Sequence, residues 1–235
     1  MRWPALARKI HKWLALVVAI QAVLWTLGGV YMTAVHIDII HGDRLVKAPP
    51  ARPIALAGLV EPAHLARLAP GMTSARLETQ LGQPVYVVQA EGGPALFDAR
   101  TGRKLSPLNA DQAKARARAL FAEDGAVVGA RYLTRAPLEI QTRPAPVWRV
   151  EFEGAWRPTF YISPFTGELV SRRHDLWRMF DVVWMLHIMD YDDRLDVNNV
   201  LIRVFTWLAV ATAASGGWLL LYSFRRRRRV REAAT

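Results

Sequence analysis

Six histidines, one acidic run and a glutamine inside an apolar stretch hold the side chains of this 235-residue chain whose types could do chemistry. The histidines are His11, His36, His41, His64, His174 and His187. Asp190, Asp192, Asp193, Asp196 and Asn198 crowd into DYDDRLDVNN, where oxygen donors could hold a hard cation. That run lacks the glycine and terminal glutamate of an EF-hand loop. The favoured reading is a solvated loop in which Asp196 or Asn198 caps the next helix and Arg194 pairs with a carboxylate. Gln21 needs a hydrogen-bond partner because lipid offers none, and Thr206, Thr212 or Ser215 would supply one across a helix pair. No Gly-rich phosphate loop, G-x-S-x-G elbow or H-E-x-x-H motif occurs. The chain has no cysteine, which excludes disulfides, thiol catalysis, cysteine zinc sites and cysteine-ligated iron–sulfur clusters.

The elements that must position these groups begin with two apolar stretches, Trp13 to Val35 and Val200 to Phe224. Each is long enough, at about 1.5 Å per helical residue, to cross a hydrocarbon core of roughly 30 Å. Arg2, Arg8, Lys9 and Lys12 precede the first; Arg225 to Arg229 and Arg231 follow the second. Lys and Arg mark cytoplasmic flanks, so both termini are expected inside and the middle outside, as in a bacterial inner membrane with a periplasmic domain. The first stretch exceeds a signal-peptide core and lacks a clear cleavage site before His36, so it is expected to remain as an anchor. Ten tail residues carry most of the formal charge of +11, while residues 36–199 hold 20 Lys/Arg against 19 Asp/Glu. The charge is thus a topology and headgroup signal, and no nucleic-acid partner is expected. Gly28, Gly29, Gly216 and Gly217 suit close helix packing, within one chain or between two.

Between the spans, residues 36–58 form a polar exit and a spacer stiffened by Pro49, Pro50 and Pro53. Residues 59–173 form the soluble domain. TSARLETQL (73–81) is expected as a short helix, followed by the strand PVYVVQA and by ALFDARTGRKLS turning at Thr101-Gly102. NADQAKARARALFA (109–122) is a second helix capped by Asn109 or Asp111. It leads to VVGARYLTRA, VWRVEFEG and RPTFYISPFTGELVS, turning at Thr166-Gly167. Helix, antiparallel strands and a TG turn occur twice, which predicts an α+β domain with helices on a sheet face. Trp148 alternates into the core. Residues 174–189 are too short to span and read as an interfacial or re-entrant helix anchored by Trp177 and Trp184; 190–199 is the acidic loop.

VWRVEFEG followed by TFYISPFTGELV resembles the PepSY domain pattern, a W-x-V strand and then a strand ending in a D-x-x-TG-E turn. Ser163 stands where that pattern has Asp, and the first repeat keeps Asp98 in FDARTG. The flanks RKIHKWLALVVAIQAVLWTLGGVYM and VVWMLHIMD…NNVLIRVFTWLAVATAASGGWLLLY resemble the ends of PepSY-associated transmembrane proteins.

In reductase-type relatives, histidines at the span ends bind haem b, so the resemblance makes His11, His36, His41 and His187 candidate haem ligands. His11 and His36 lie about 37 Å apart along one helix and cannot ligate one iron. His187 would meet His36 or His41, or simply hydrogen-bond a carbonyl or Asp190. His11 would need a second chain, or contact headgroups. His64 and His174 are expected at the surface. The leading expectation is a two-span inner-membrane protein presenting a PepSY domain as a binding or accessory module. Its partners would be the bilayer and either a protein of a membrane complex or a second copy. Sheet edges and the strands around Trp148 and Tyr161 would engage that partner. Haem-b electron transfer linked to ferric-siderophore or metal reduction, and control of a periplasmic peptidase, are the alternatives; catalysis by this chain alone is not expected.

Overall fold

The computed structural model describes residues 3–48 and 53–232, with side chains from Ala5 to Leu221. Pro49, Pro50 and Arg2 lie outside the described residues, as do the side chains of Arg225 to Arg229 and Arg231. The chain divides into two compact units, Met1–His36 with Phe180–Thr235, and Ile37–Met179.

The helices are α1 (Trp3–Ala34), α2 (Ile37–His41), α3 (Pro62–Leu68), α4 (Ala110–Leu120), α5 (Asp175–Ile188) and α6 (Val200–Glu232). The strands are β1 (Ser74–Gln80), β2 (Gln83–Gln89), β3 (Ala95–Asp98), β4 (Val127–Leu133), β5 (Val147–Phe152), β6 (Thr159–Ile162) and β7 (Leu169–Arg173).

In the helical unit α1 and α6 pack against each other with most of their large apolar side chains facing outward. Gln21 is 4% exposed whereas Ile20 is 68% exposed, and Trp13, Leu16, Leu27, Trp207 and Leu221 also face outward. In water this would forfeit most of the apolar burial that stabilises a helix pair; in hydrocarbon it costs nothing. Among the described residues, Ala5–Ala34 and Val200–Leu221 are the two helical segments long and apolar enough to cross a membrane. Asn199, rather than Asp196 or Asn198, caps α6: its Oδ1 accepts from the Ile202 amide at 3.0 Å.

The other unit is α+β, as expected, with antiparallel sheets ordered β1-β2-β3 and β4-β5-β6-β7. The helix expected over residues 73–81 is instead β1. Its seven residues pair with β2 from Ser74↔Gln89 to Gln80↔Gln83, and the two-residue turn Leu81-Gly82 has φ 50° and 79°. Such a turn matches strand twist, and the pairing overrides the helical propensity of ARLETQ. The helix of the first repeat lies earlier, at α3, with Pro62 in its first position where the missing N–H costs nothing. The repeat therefore stands as α3-β1-β2-β3 and α4-β4-β5-β6-β7. Asn109 caps α4 in a reciprocal pair with Gln112.

Each repeat has its own core. Leu65, Tyr86, Val88, Phe97 and Ala99 fill the first. In the second, Phe121 stacks on Phe152 at 4.1 Å, and Phe160 meets both edge-on at 5.6 and 5.2 Å. Val147, Tyr161 and Ile140 form a further cluster. Tyr161 is consequently buried and offers a partner no surface. Trp148 is half-buried and packs against this second core, beside Tyr132 at 5.1 Å, and its indole N–H donates to the Leu108 carbonyl at 2.9 Å.

Candidate functional site

Both TG turns share one construction. Asp98 Oδ1 accepts from the amides of Arg100 and Thr101 at 2.9 and 2.8 Å, and Gly102 completes the turn at φ +72°. Ser163 Oγ does the same for Phe165 and Thr166 at 3.3 and 3.2 Å, with Gly167 at φ +68°. A hydroxyl thus replaces the carboxylate at longer range. The second turn is also where the repeats join. Gln80 Nε2 donates to the Thr166 carbonyl at 2.8 Å, Arg116 Nε to the Gly167 carbonyl at 2.8 Å, and Arg76 pairs with Glu168.

A second polar cluster lies under the first turn of α5. Arg178 reaches Glu139 and Asp175 at 2.8 and 3.0 Å and donates to Thr159 Oγ1 at 3.1 Å, while the Tyr161 hydroxyl donates to Glu139. Burial raises the Glu139 carboxyl pKa, but the bonds from Arg178 and Tyr161 outweigh it and hold the group below its ordinary range. Burial and the Glu139 carboxylate push the Tyr161 phenol up. Each member is engaged with another, so the arrangement clamps the start of α5 and presents no activated nucleophile. The sequence reading missed this cluster; the i,i+3 spacing of Asp175 and Arg178 was its only local trace.

The sequence-predicted residues fall at several places. His11 Nδ1 lies 2.8 Å from Ser215 Oγ, and a Cβ on Gly216 would stand 3.0 Å from His11 Cε1, so Gly216 makes room for the imidazole. Gln21 donates to the Leu186 carbonyl at 2.8 Å, not to Thr206, Thr212 or Ser215. Trp25 Nε1 donates to the His187 carbonyl at 2.8 Å, and a Cβ on Gly28 would stand 3.0 Å from Val183. Gly28 and Gly216 are therefore close-packing positions, whereas Gly29 and Gly217 have open space beside them. His187 is half-buried between Trp25 and Trp184, and its Nδ1 has no hydrogen-bond partner, so Asp190 does not receive it there.

His36 is exposed beyond the end of α1, and His41 is exposed at the end of α2 in the other unit. His187 packs at the height of Trp25, eleven residues and about 16 Å of helix from His36, and about 21 Å from His11. The helical unit thus brings no two of these three histidines to one iron within a chain.

His64 is exposed as expected, with Nδ1 3.2 Å from Arg67. His174 is not at the surface: it is 4% exposed against Gly42, and its Nε2 has no partner. Burial pushes its pKa below the ordinary value, against backbone hydrogen bonds to Ile39 and Ile40. Gly42 serves twice, by its φ of +70° and because a Cβ would stand 3.1 Å from the His174 ring. Nothing in a lone His-Asp before a helix signals such burial.

In the acidic loop, Asp190 Oδ2 accepts from the amides of Leu195 and Asp196, both at 2.9 Å, which lowers its pKa. Arg194 pairs with Asp181 of α5 rather than with a loop carboxylate. Asp190, Asp192 and Asp193 are not gathered around a common point, and among the described residues no three acidic or histidine side chains converge as metal donors.

A helix laid on an antiparallel sheet, closed by a TG turn with a side-chain oxygen bonding the turn amides, defines the class of domain. Residues 107–173, the whole second repeat, match the family model described as Peptidase propeptide and YPEB domain, or PepSY. The chain is a PepSY domain-containing protein whose domain lies between two apolar helices. No curated protein and no solved structure matches it.

Proposed function

We propose that this protein is a membrane-anchored PepSY module: α1 and α6 cross the bacterial inner membrane, both termini are cytoplasmic, and the domain acts in the periplasm as a binding or accessory subunit of a membrane complex. The large apolar side chains that α1 and α6 leave facing outward, Ile20 and Trp207 among them, while Gln21 is buried, carry this reading. The basic tails support the orientation. The module reading is supported by a domain whose polar clusters are committed to turns and to the α5 clamp, not to reacting groups. A photocrosslinking residue at Tyr132 or Trp156, both exposed, should give a discrete adduct with another membrane or periplasmic protein in intact cells. Only uncrosslinked monomer from every exposed position of the domain would refute the module reading.

Control of a periplasmic peptidase is the second reading, favoured by the peptidase-propeptide description of the matched family. It predicts that the adduct is a peptidase. Haem-b electron transfer gains no support from the spacing of His11, His36 and His187.

A further inference from the structure

The chain passes between the helical unit and the domain twice, at residues 36–37 and 179–180. Residues next to both crossings wall one cavity of about 330 Å³, the size of a small-ligand pocket: Asp38 and Ile39 after the first, His174 and Leu176 before the second. Its other walls include Arg44, Leu45, Glu123 and Trp156, and all of these residues belong to the domain. Three of the side chains are not used by the fold. Arg44 and Glu123 are exposed and opposite in charge, and neither side chain makes a hydrogen bond or ion pair among the described residues, not even with the other. Trp156 is 57% exposed although its backbone stands at φ +68°, a strained conformation for a bulky residue. The start of α5 holds it there. The Asp175 amide donates to the Trp156 carbonyl at 2.7 Å, and Arg157 Nε donates to Asp175 Oδ2 at 2.8 Å. Strain kept at an exposed tryptophan points to a use of the ring other than packing. His174 adds an uncharged wall, since burial lowers its pKa.

We propose that this cavity binds a phospholipid headgroup carrying both a phosphate and a primary ammonium, that of phosphatidylethanolamine. Two opposite charges that share one cleft without meeting suit a ligand that carries both, a short distance apart. Arg44 meets the phosphate as a planar double donor. Glu123 and Asp38 accept from the ammonium, whose charge also lies against the Trp156 face. Ile39, Leu45 and Leu176 give the glycerol and first acyl carbons an apolar wall. An anionic headgroup would satisfy Arg44 but set no cation before the two carboxylates. A choline headgroup has no N–H to donate to them. Sequence position favours a lipid over a soluble zwitterion. Asp38 follows Ala34, the last residue of α1, by four positions, so the chain itself keeps this wall near the surface from which that span emerges.

The inference rests on the membrane reading for its choice of a lipid. Its test uses the full-length protein in dodecyl maltoside, so failure here leaves the topology intact. Native mass spectrometry would count the lipid retained when dioleoyl phosphatidylethanolamine, phosphatidylcholine and phosphatidylglycerol are offered at equal concentration. Both paired charges sit at an exposed rim, so the expected preference for phosphatidylethanolamine is modest, about fivefold. Glu123→Gln and Arg44→Gln should each abolish that preference while keeping the wild-type unfolding midpoint. Glu91→Gln, at an exposed carboxylate of the first repeat, should change neither. With the wild-type protein, an excess of sn-glycero-3-phosphoethanolamine should displace the retained lipid, and sn-glycero-3-phosphocholine should not. The proposal is overturned if phosphatidylcholine or phosphatidylglycerol is retained as well as phosphatidylethanolamine, or if either variant keeps the wild-type preference. Failure of the soluble ethanolamine ester to displace the lipid would also overturn it, as would binding of that ester with no lipid retained.

Discussion

Replacing Gly167 by alanine should destabilise the domain far more than the same change at another left-handed glycine. At φ +68° an alanine costs roughly 1 kcal/mol in backbone conformation alone. Its Cβ would also stand 2.4 Å from Gln80 Oε1. Gln80 is 5% exposed and donates to the Thr166 carbonyl at 2.8 Å, so pushing it aside leaves buried polar groups unpaired, at about 2 kcal/mol. The total of about 3 kcal/mol should lower the unfolding midpoint by roughly 10 °C for a unit of this size. Gly82→Ala is the matched control, with φ +79° and nothing within 4 Å, and should cost only the conformational part, about 1 kcal/mol. Thermal unfolding of the detergent-solubilised protein, followed by near-ultraviolet circular dichroism, measures both. In a Gln80→Ala background the steric part vanishes, so Gly167→Ala should then cost no more than Gly82→Ala. Equal costs for the two glycines in the wild-type background, or strict additivity with Gln80→Ala, would refute the account of the TG turn as the joint between repeats.

His174 titrates below its ordinary value, so its contribution is complete above about pH 6.5 and is lost as pH falls through the lowered value. His174→Gln should flatten stability against pH in that window by up to about 1.4 kcal/mol per unit, read from urea unfolding at a series of pH values. An unchanged slope would contradict the burial. Arg178→Gln should cost about 2–4 kcal/mol by stranding the partly buried Glu139, and the added Glu139→Gln change should recover part of it. Trp148→Phe should cost about 1 kcal/mol, from the bond to Leu108, and leave unfolding cooperative; an unchanged unfolding midpoint would contradict that bond.

The parts legible in the sequence were those with local or compositional causes. Apolar length gave the two flanking helices, Asn109 as one of two candidate caps gave the start of α4, and the Thr-Gly pairs gave both corners, while Ser163 in place of Asp came from the PepSY resemblance. What failed depended on distant partners. Residues 73–81 carry helix formers and become a strand because β2 lies one tight turn away. Gln21 was matched to hydroxyls of α6 because both are apolar spans, yet α5 brings the Leu186 carbonyl to it. The recess beside β7 combines residues 41, 143, 171–173 and 177, separations at which no spacing rule operates. Histidine identity suggested a shared iron, but their heights along α1 and α5 keep the helical-unit histidines apart.

Because the chain contains no cysteine, one introduced thiol reports its own side of the membrane without background. Ala63→Cys, on the exposed face of α3, and Ala234→Cys, near the C-terminus, should be probed with a membrane-impermeant maleimide in spheroplasts before and after permeabilisation. The account predicts that Ala63→Cys reacts fully in intact spheroplasts and that Ala234→Cys reacts only once they are opened. The reverse pattern, or equal reaction of both sites in intact spheroplasts, would contradict a periplasmic PepSY domain held by two spans.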